Sequence, residues 1–207
     1  MDKEDGIFMK ITKQKIKLLC PQLIFLIVTF CIFMPSSLFL GNIDEFAVGF
    51  AALIPLLMAA SLITAAVVIL IGLIVPKKIC NIYAAVIFGG ALAAYVQGNF
   101  LNPDFGVLNG RQIQWSQFRV NAIISTVLWI VLIVVPAVVV CFKKDIMTNI
   151  IKWGSLFLSS IQVVTLVVLI VSSKRSVDYS YVVTKNDEFA LSSQGNVVVF
   201  IVDTLDN

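Results

Sequence analysis

The residue best placed to do chemistry is Asp203, in the closing stretch NVVVFIVDTLDN at positions 196 to 207. Six apolar residues, Val197 to Val202, run up to it and are bounded on the other side by Gly195 and Asn196. Such a run is too short to cross a bilayer as a helix and fits a strand buried on both faces, as in the parallel sheets of α/β domains. Ligands of open α/β sheets bind beyond the carboxyl ends of the strands. A carboxylate at that point therefore has two uses: it holds a divalent cation, or it caps the helix that comes next. The sequence leaves both open.

Little else in the chain has the composition of a reactive site. There is no histidine, and Cys20, Cys31, Cys80 and Cys141 show no Cys-x-x-Cys spacing and lie in or beside apolar runs. That supports neither a zinc site nor a disulfide framework and marks the thiols as small, polarizable packing residues. The net charge of +3 is spread around apolar blocks. A nucleic-acid partner, which needs a clustered basic face, is not indicated.

The elements that must position Asp203 are membrane spans. Of 207 residues, 59% are hydrophobic and only 13% charged, which places the chain in the membrane class. A hydrocarbon core about 30 Å thick needs about 20 apolar residues in helical form. Five stretches without Asp, Glu, Lys or Arg meet that length: 18–40, 47–75, 79–98, 120–142 and 153–172. The second is long enough to tilt or kink, with Pro55 as the expected place. Residues 1–17 form a basic N-terminus, and the first span is expected to be a retained signal anchor, since MPSSLFLGN makes a weak cleavage site.

Lys and Arg fix the direction, because basic loops stay cytoplasmic. With the N-terminus inside, ten fall on the cytoplasmic side and five outside. The expected arrangement is N-terminus cytoplasmic, C-terminus extracellular, with the tail from residue 173 beyond the outer face of a bacterial plasma membrane.

Within the bundle, Gly90, Ala94 and Gly98 form a small-residue stripe at i, i+4 and i+8, with Gly89 and Ala93 beside it. Such a stripe lets another helix approach closely and makes the third span the expected centre. Gln162, Ser159, Ser160, Thr165, Ser125 and Thr126 are polar residues within spans, accounted for by hydrogen bonds between helices. The absence of ionisable residues from the spans argues against proton- or ion-coupled transport. The long external loop from Asn99 to Phe118 mixes large apolar residues with turn formers. It is expected to lie at the headgroup boundary, as a shelf for a lipid substrate or a docking surface for an external domain.

After Ser172 the composition turns polar, and 173–195 reads as an external linker. The fold class expected is an all-α polytopic membrane protein: five transmembrane helices, a short linker, and one β-strand, 196–207, of an incomplete α/β domain. A central parallel strand needs neighbours and covering helices, so the external domain is expected to continue in sequence that is missing here.

Five N-terminal spans, the loop NFLNPDFGVLNG, a polar linker and NVVVFIVDTLDN together resemble the start of a bacterial membrane-anchored sulfatase-like hydrolase or transferase of the alkaline phosphatase superfamily. The five-span architecture is similar to that of the lipoteichoic acid synthase type. The resemblance covers the layout of the whole chain, but its specific motif is the last dozen residues. It implies that Asp203 ligates a divalent metal (Mn, Mg, Ca or Zn), with a nucleophile and further Asp and His ligands supplied downstream. It also implies a lipid-linked or envelope glycopolymer substrate, and that these residues alone are inactive. Thr204 falls where classical sulfatases carry a second acid, a departure that leaves the number of metals and the ester type open; lipoteichoic acid synthases carry Glu where Asp203 stands, which points to a cousin rather than to that enzyme itself. The competing expectation is a complete small integral membrane protein that serves as a partner-binding scaffold, its tail adding a strand to a partner's sheet.

Overall fold

The computed structural model describes residues 2–43, 46, 48–103 and 114–173, and among residues 2–11 the backbone only. The described chain is almost wholly helical: α1 (Asp2–Leu26), a first π segment (Ile27–Phe33), α2 (Met34–Gly41), α3 (Ile54–Ile74), α4 (Cys80–Val96), a second π segment (Gln97–Leu101), α5 (Arg119–Phe142) and α6 (Lys144–Ser172). Short 3-10 turns, Phe50–Leu53 and Trp115–Phe118, lead into α3 and α5. No strand occurs among the described residues, and the expected strand at 196–207 lies outside them.

Five helical stretches are long and apolar enough to cross a membrane: Thr12–Gly41, Phe50–Ile74, Cys80–Leu101, Trp115–Phe142 and Lys144–Ser172. The protein is thus a polytopic membrane-type helical bundle. Each stretch contains most of an uncharged run, but polar ends join several of them. The fifth begins at Lys144 rather than Trp153, adding about two and a half polar turns, at the end of which Lys152 Nζ lies 5.0 Å from the centre of the Trp153 ring. Pro55 is not at a kink. It sits in the first turn of α3, where the missing N–H had no intrahelical partner to lose.

Half of the first span's most apolar window is buried and 44% of the third's, against 11% for the second and fourth and 17% for the fifth. The centre is therefore shared between the first and third spans, and the others leave many of their Leu, Ile and Val side chains exposed on the outside of the bundle. One core cluster joins Phe25 of α1, Ala85, Phe88 and Ala91 of α4, Val140 of α5 and Ile151 of α6. A second joins Leu19, Val68, Cys80, Ala84 and Ile87, binding α1 to α3 and α4. Because lipid tails are as apolar as these side chains, the clusters hold through van der Waals fit rather than through exclusion of water.

The antiparallel chain path gathers the N-terminal part of the first span, the α3–α4 turn and the α5–α6 junction at one end, which is rich in lysine. There Lys15 Nζ donates to the carbonyls of Leu73 (2.8 Å) and Val75 (2.7 Å). These are terminal carbonyls of α3, left without intrahelical donors and carrying the negative end of its dipole, so a cation stabilises both. The opposite end is aromatic: Phe39 stacks on Phe46 with centroids 4.4 Å apart, and Tyr95 lies between Phe33 and Phe100.

Candidate functional site

Both π segments stop two residues short of a proline, Phe33 before Pro35 and Leu101 before Pro103. Proline offers no N–H to the carbonyl four residues back, and its ring crowds that carbonyl. Widening the preceding turn to the i→i+5 pattern is one way to relieve this. Between the two widened turns lies a cavity of about 330 Å³ at the aromatic end of the bundle. Phe33, Met34, Ser37, Leu38 and Asn42 line it from the first span, and Gly98, Asn99 and Asn102 from the third.

The polar lining is carboxamide and hydroxyl, and all of it is uncharged. Asn42 Nδ2 donates to the Leu38 carbonyl (2.8 Å), Asn99 Nδ2 to Tyr95 (2.7 Å) and Asn102 Nδ2 to Gly98 (3.2 Å). Each amide nitrogen is thus tied to its own helix. Trp129 Nε1 donates to Gln97 Oε1 at 3.3 Å, which fixes the second π segment against α5. Asn42 and Asn99 are both exposed, and each keeps a side-chain oxygen that is able to accept a hydrogen bond. The lining carries no ionisable side chain, and its one hydroxyl, that of Ser37, donates to the Met34 carbonyl (3.0 Å).

Deeper in the bundle, the first π segment carries a polar pair. Thr29 Oγ1 donates to Gln162 Oε1 (3.1 Å) and accepts from Gln162 Nε2 (3.0 Å), and both residues are 0% exposed. Cys31 Sγ lies 3.4 Å from Thr64 Oγ1. Buried residues Ile151, Ser155, Ser159 and Gln162 make a stripe along α6 that faces this seam. Of the six polar span residues named from the sequence, Gln162 makes the interhelical bond. Ser159, Ser160 and Thr126 instead bond carbonyls of their own helices.

The small-residue stripe of α4 is resolved to one face. Ala94 is buried, but a Cβ placed on Gly90 meets nothing within 4 Å. Close approach occurs at Gly89, whose added Cβ would meet the backbone oxygen of Leu132 and lie 2.8 Å from Ile133 Cα. Gly98 opens the cavity instead: a Cβ there would stand 2.7 Å from Met34 Cε. Asp203 lies outside the described residues, as do residues 104–113 of the external loop. The described parts of that loop place Phe100 (73% exposed) and Trp115 (66% exposed) at the aromatic end. Asn99 and Asn102 belong to the loop expected to form a shelf or docking surface, whereas Met34, Ser37 and Asn42 of the first span were not singled out in the sequence. The available signal was an amide-rich pair of span ends, each close to a proline.

All four cysteines are free, with Cys31 and Cys80 buried and Cys20 and Cys141 exposed. Among the described residues no three His, Cys, Asp or Glu side chains come together, so the bundle offers no fit for a divalent metal. No family model, curated protein or solved structure matches the chain.

Proposed function

We propose that the chain is the membrane anchor of a sulfatase-like, metal-dependent ester hydrolase or transferase, with Asp203 among its metal ligands. In this proposal the lysine-rich end faces the bacterial cytoplasm and the tail lies at the outer face. The observation that carries the reading is the odd number of crossings: α6 delivers Ser172 to the end that holds the carboxamide cavity. In this proposal the strand-like run of sequence that ends in Asp203 follows on that same side, and cavity and acid serve one substrate.

The division of labour follows from the chemistry. The Asn42 and Asn99 oxygens accept hydroxyls of a glycerol or sugar headgroup, while its acyl chains remain in lipid against the exposed faces of the bundle. Confining the headgroup near the tail removes much of the entropy of bringing ester and attacking group together. Asp203 would hold a divalent metal, which would supply polarisation of the ester oxygens.

The complete reading frame containing these residues tests the proposal when purified with Mn²⁺ and assayed on phosphodiester and sulfate ester substrates. Metal-dependent cleavage is expected. Asp203→Asn is expected to reduce kcat/KM by at least about 100-fold, since even residues that only support metal ligands are worth about 10- to 100-fold. Metal-dependent cleavage that survives Asp203→Asn unchanged, or its absence from the unmodified protein, overturns the reading.

A further inference from the structure

We propose that the lysine-rich end of the bundle contains a pocket for the headgroup phosphate of an anionic lipid. A cavity of about 130 Å³ opens there between α1, the α3–α4 turn and the start of α6. Its polar lining is Gln14 and Lys15 from α1, Lys77 from the turn, Asn81 from α4 and Lys144 from α6. Three lysines from three separate elements line this one small space, and among the described side chains no carboxylate lines it. Lys77 and Lys144 are exposed and Lys15 is half-buried, and an anion bound among them offsets part of their mutual repulsion.

Two features select a phosphate monoanion carried on a lipid. Lys15 has two of its three N–H groups committed to the carbonyls of Leu73 and Val75. That leaves one donor for a ligand. Gln14 and Asn81 supply amide donors, and α4 begins at Cys80, so its positive end reinforces the attraction. Second, Lys15 also borders a separate, almost wholly apolar cavity of about 120 Å³ between α1 and α3, lined by Leu19, Leu23, Ile69 and Gly72 among others. A basic pocket and an apolar slot that share one lysine suit an amphiphile, whereas a soluble phosphate has no use for the slot. Basic pockets between helices at the cytoplasmic side are a recognised form of anionic headgroup site. This site is independent of the outer cavity and of Asp203.

Native mass spectrometry of the full chain in detergent, titrated with phosphatidylglycerol or with phosphatidylcholine of the same acyl chains, tests the assignment. One phosphatidylglycerol is expected to bind at least about tenfold more tightly than phosphatidylcholine. The paired change Lys77→Gln with Lys144→Gln is expected to erase that preference, and Lys77→Arg with Lys144→Arg to retain it. Lys78→Gln with Lys152→Gln, which removes the same charge from the same end outside the pocket, is expected to leave it within about threefold. Circular dichroism of each variant establishes that the helices are intact. Equal binding of the two lipids, or equal loss in the pocket and control pairs, overturns the proposal. Binding of inorganic phosphate as tight as that of phosphatidylglycerol overturns the lipid as the source.

Discussion

Replacing Gly89 by valine is expected to force α4 away from α5 and to lower the stability of the bundle by about 3 kcal/mol. The reason lies in what a side chain would meet. The Cβ alone would collide with the Leu132 carbonyl oxygen and come within 2.8 Å of Ile133 Cα, both backbone atoms that cannot rotate aside. α4 packs more extensively on α5 than on any other element, so the displacement is transmitted along the whole helix pair. Gly90→Ala, one residue along and with nothing within 4 Å of its new methyl, is expected to change stability by less than about 1 kcal/mol. Unfolding of the purified protein by SDS titration in mixed micelles measures both. Equal effects at the two glycines would contradict the assigned face.

Phe25→Ala is expected to cost about 3–5 kcal/mol, the range for removing a buried aromatic without refilling its space. Phe25 is 0% exposed, and its ring lies 5.8 Å from that of Phe88 at a tilt of 40°. It belongs to the cluster that ties α1, α4, α5 and α6 together, so the cavity left behind opens at the junction of four helices. In lipid the loss is of dispersion contacts, because the hydrocarbon outside is as apolar as the core. Phe25→Leu, which keeps much of the volume, is expected to cost under about 1.5 kcal/mol. The same SDS titration reads both changes, and an alanine variant as stable as the leucine one contradicts the central position of this ring.

Much of the architecture could be read from the sequence because a bilayer imposes a single length scale on every span. The uncharged runs 18–40, 47–75, 79–98, 120–142 and 153–172 each fall largely within one long helix. Their ends were less legible, since charged residues at an interface extend a helix beyond its apolar part. Asp145 and Lys152 on α6 do so. The face of α4 was beyond sequence alone: Gly89 with Ala93 and Gly90 with Ala94 are equally small at the same spacing, about 100° apart around the helix. Only the position of Leu132 and Ile133 on α5 separates them. The cavity was missed for a related reason. The joint effect of the two widened turns before Pro35 and Pro103 exists only when the first and third spans lie side by side. The third span was expected to be central, yet the first is buried at least as deeply. Its long apolar run carries no small-residue stripe to reveal the fact. Instead it presents Gln22, Phe25, Thr29 and Ser36, each 0–1% exposed, along one side.

The claim on which the functional account rests is directional: the lysine-rich end lies in the cytoplasm and the tail leaves from the outer face. Single cysteines at Ser173 and Lys144, introduced after replacing Cys20, Cys31, Cys80 and Cys141, report the two ends directly. On intact cells a membrane-impermeant maleimide is predicted to label Ser173→Cys and to leave Lys144→Cys untouched until the membrane is permeabilised. Labelling of Lys144→Cys from outside, with Ser173→Cys protected, would contradict the account.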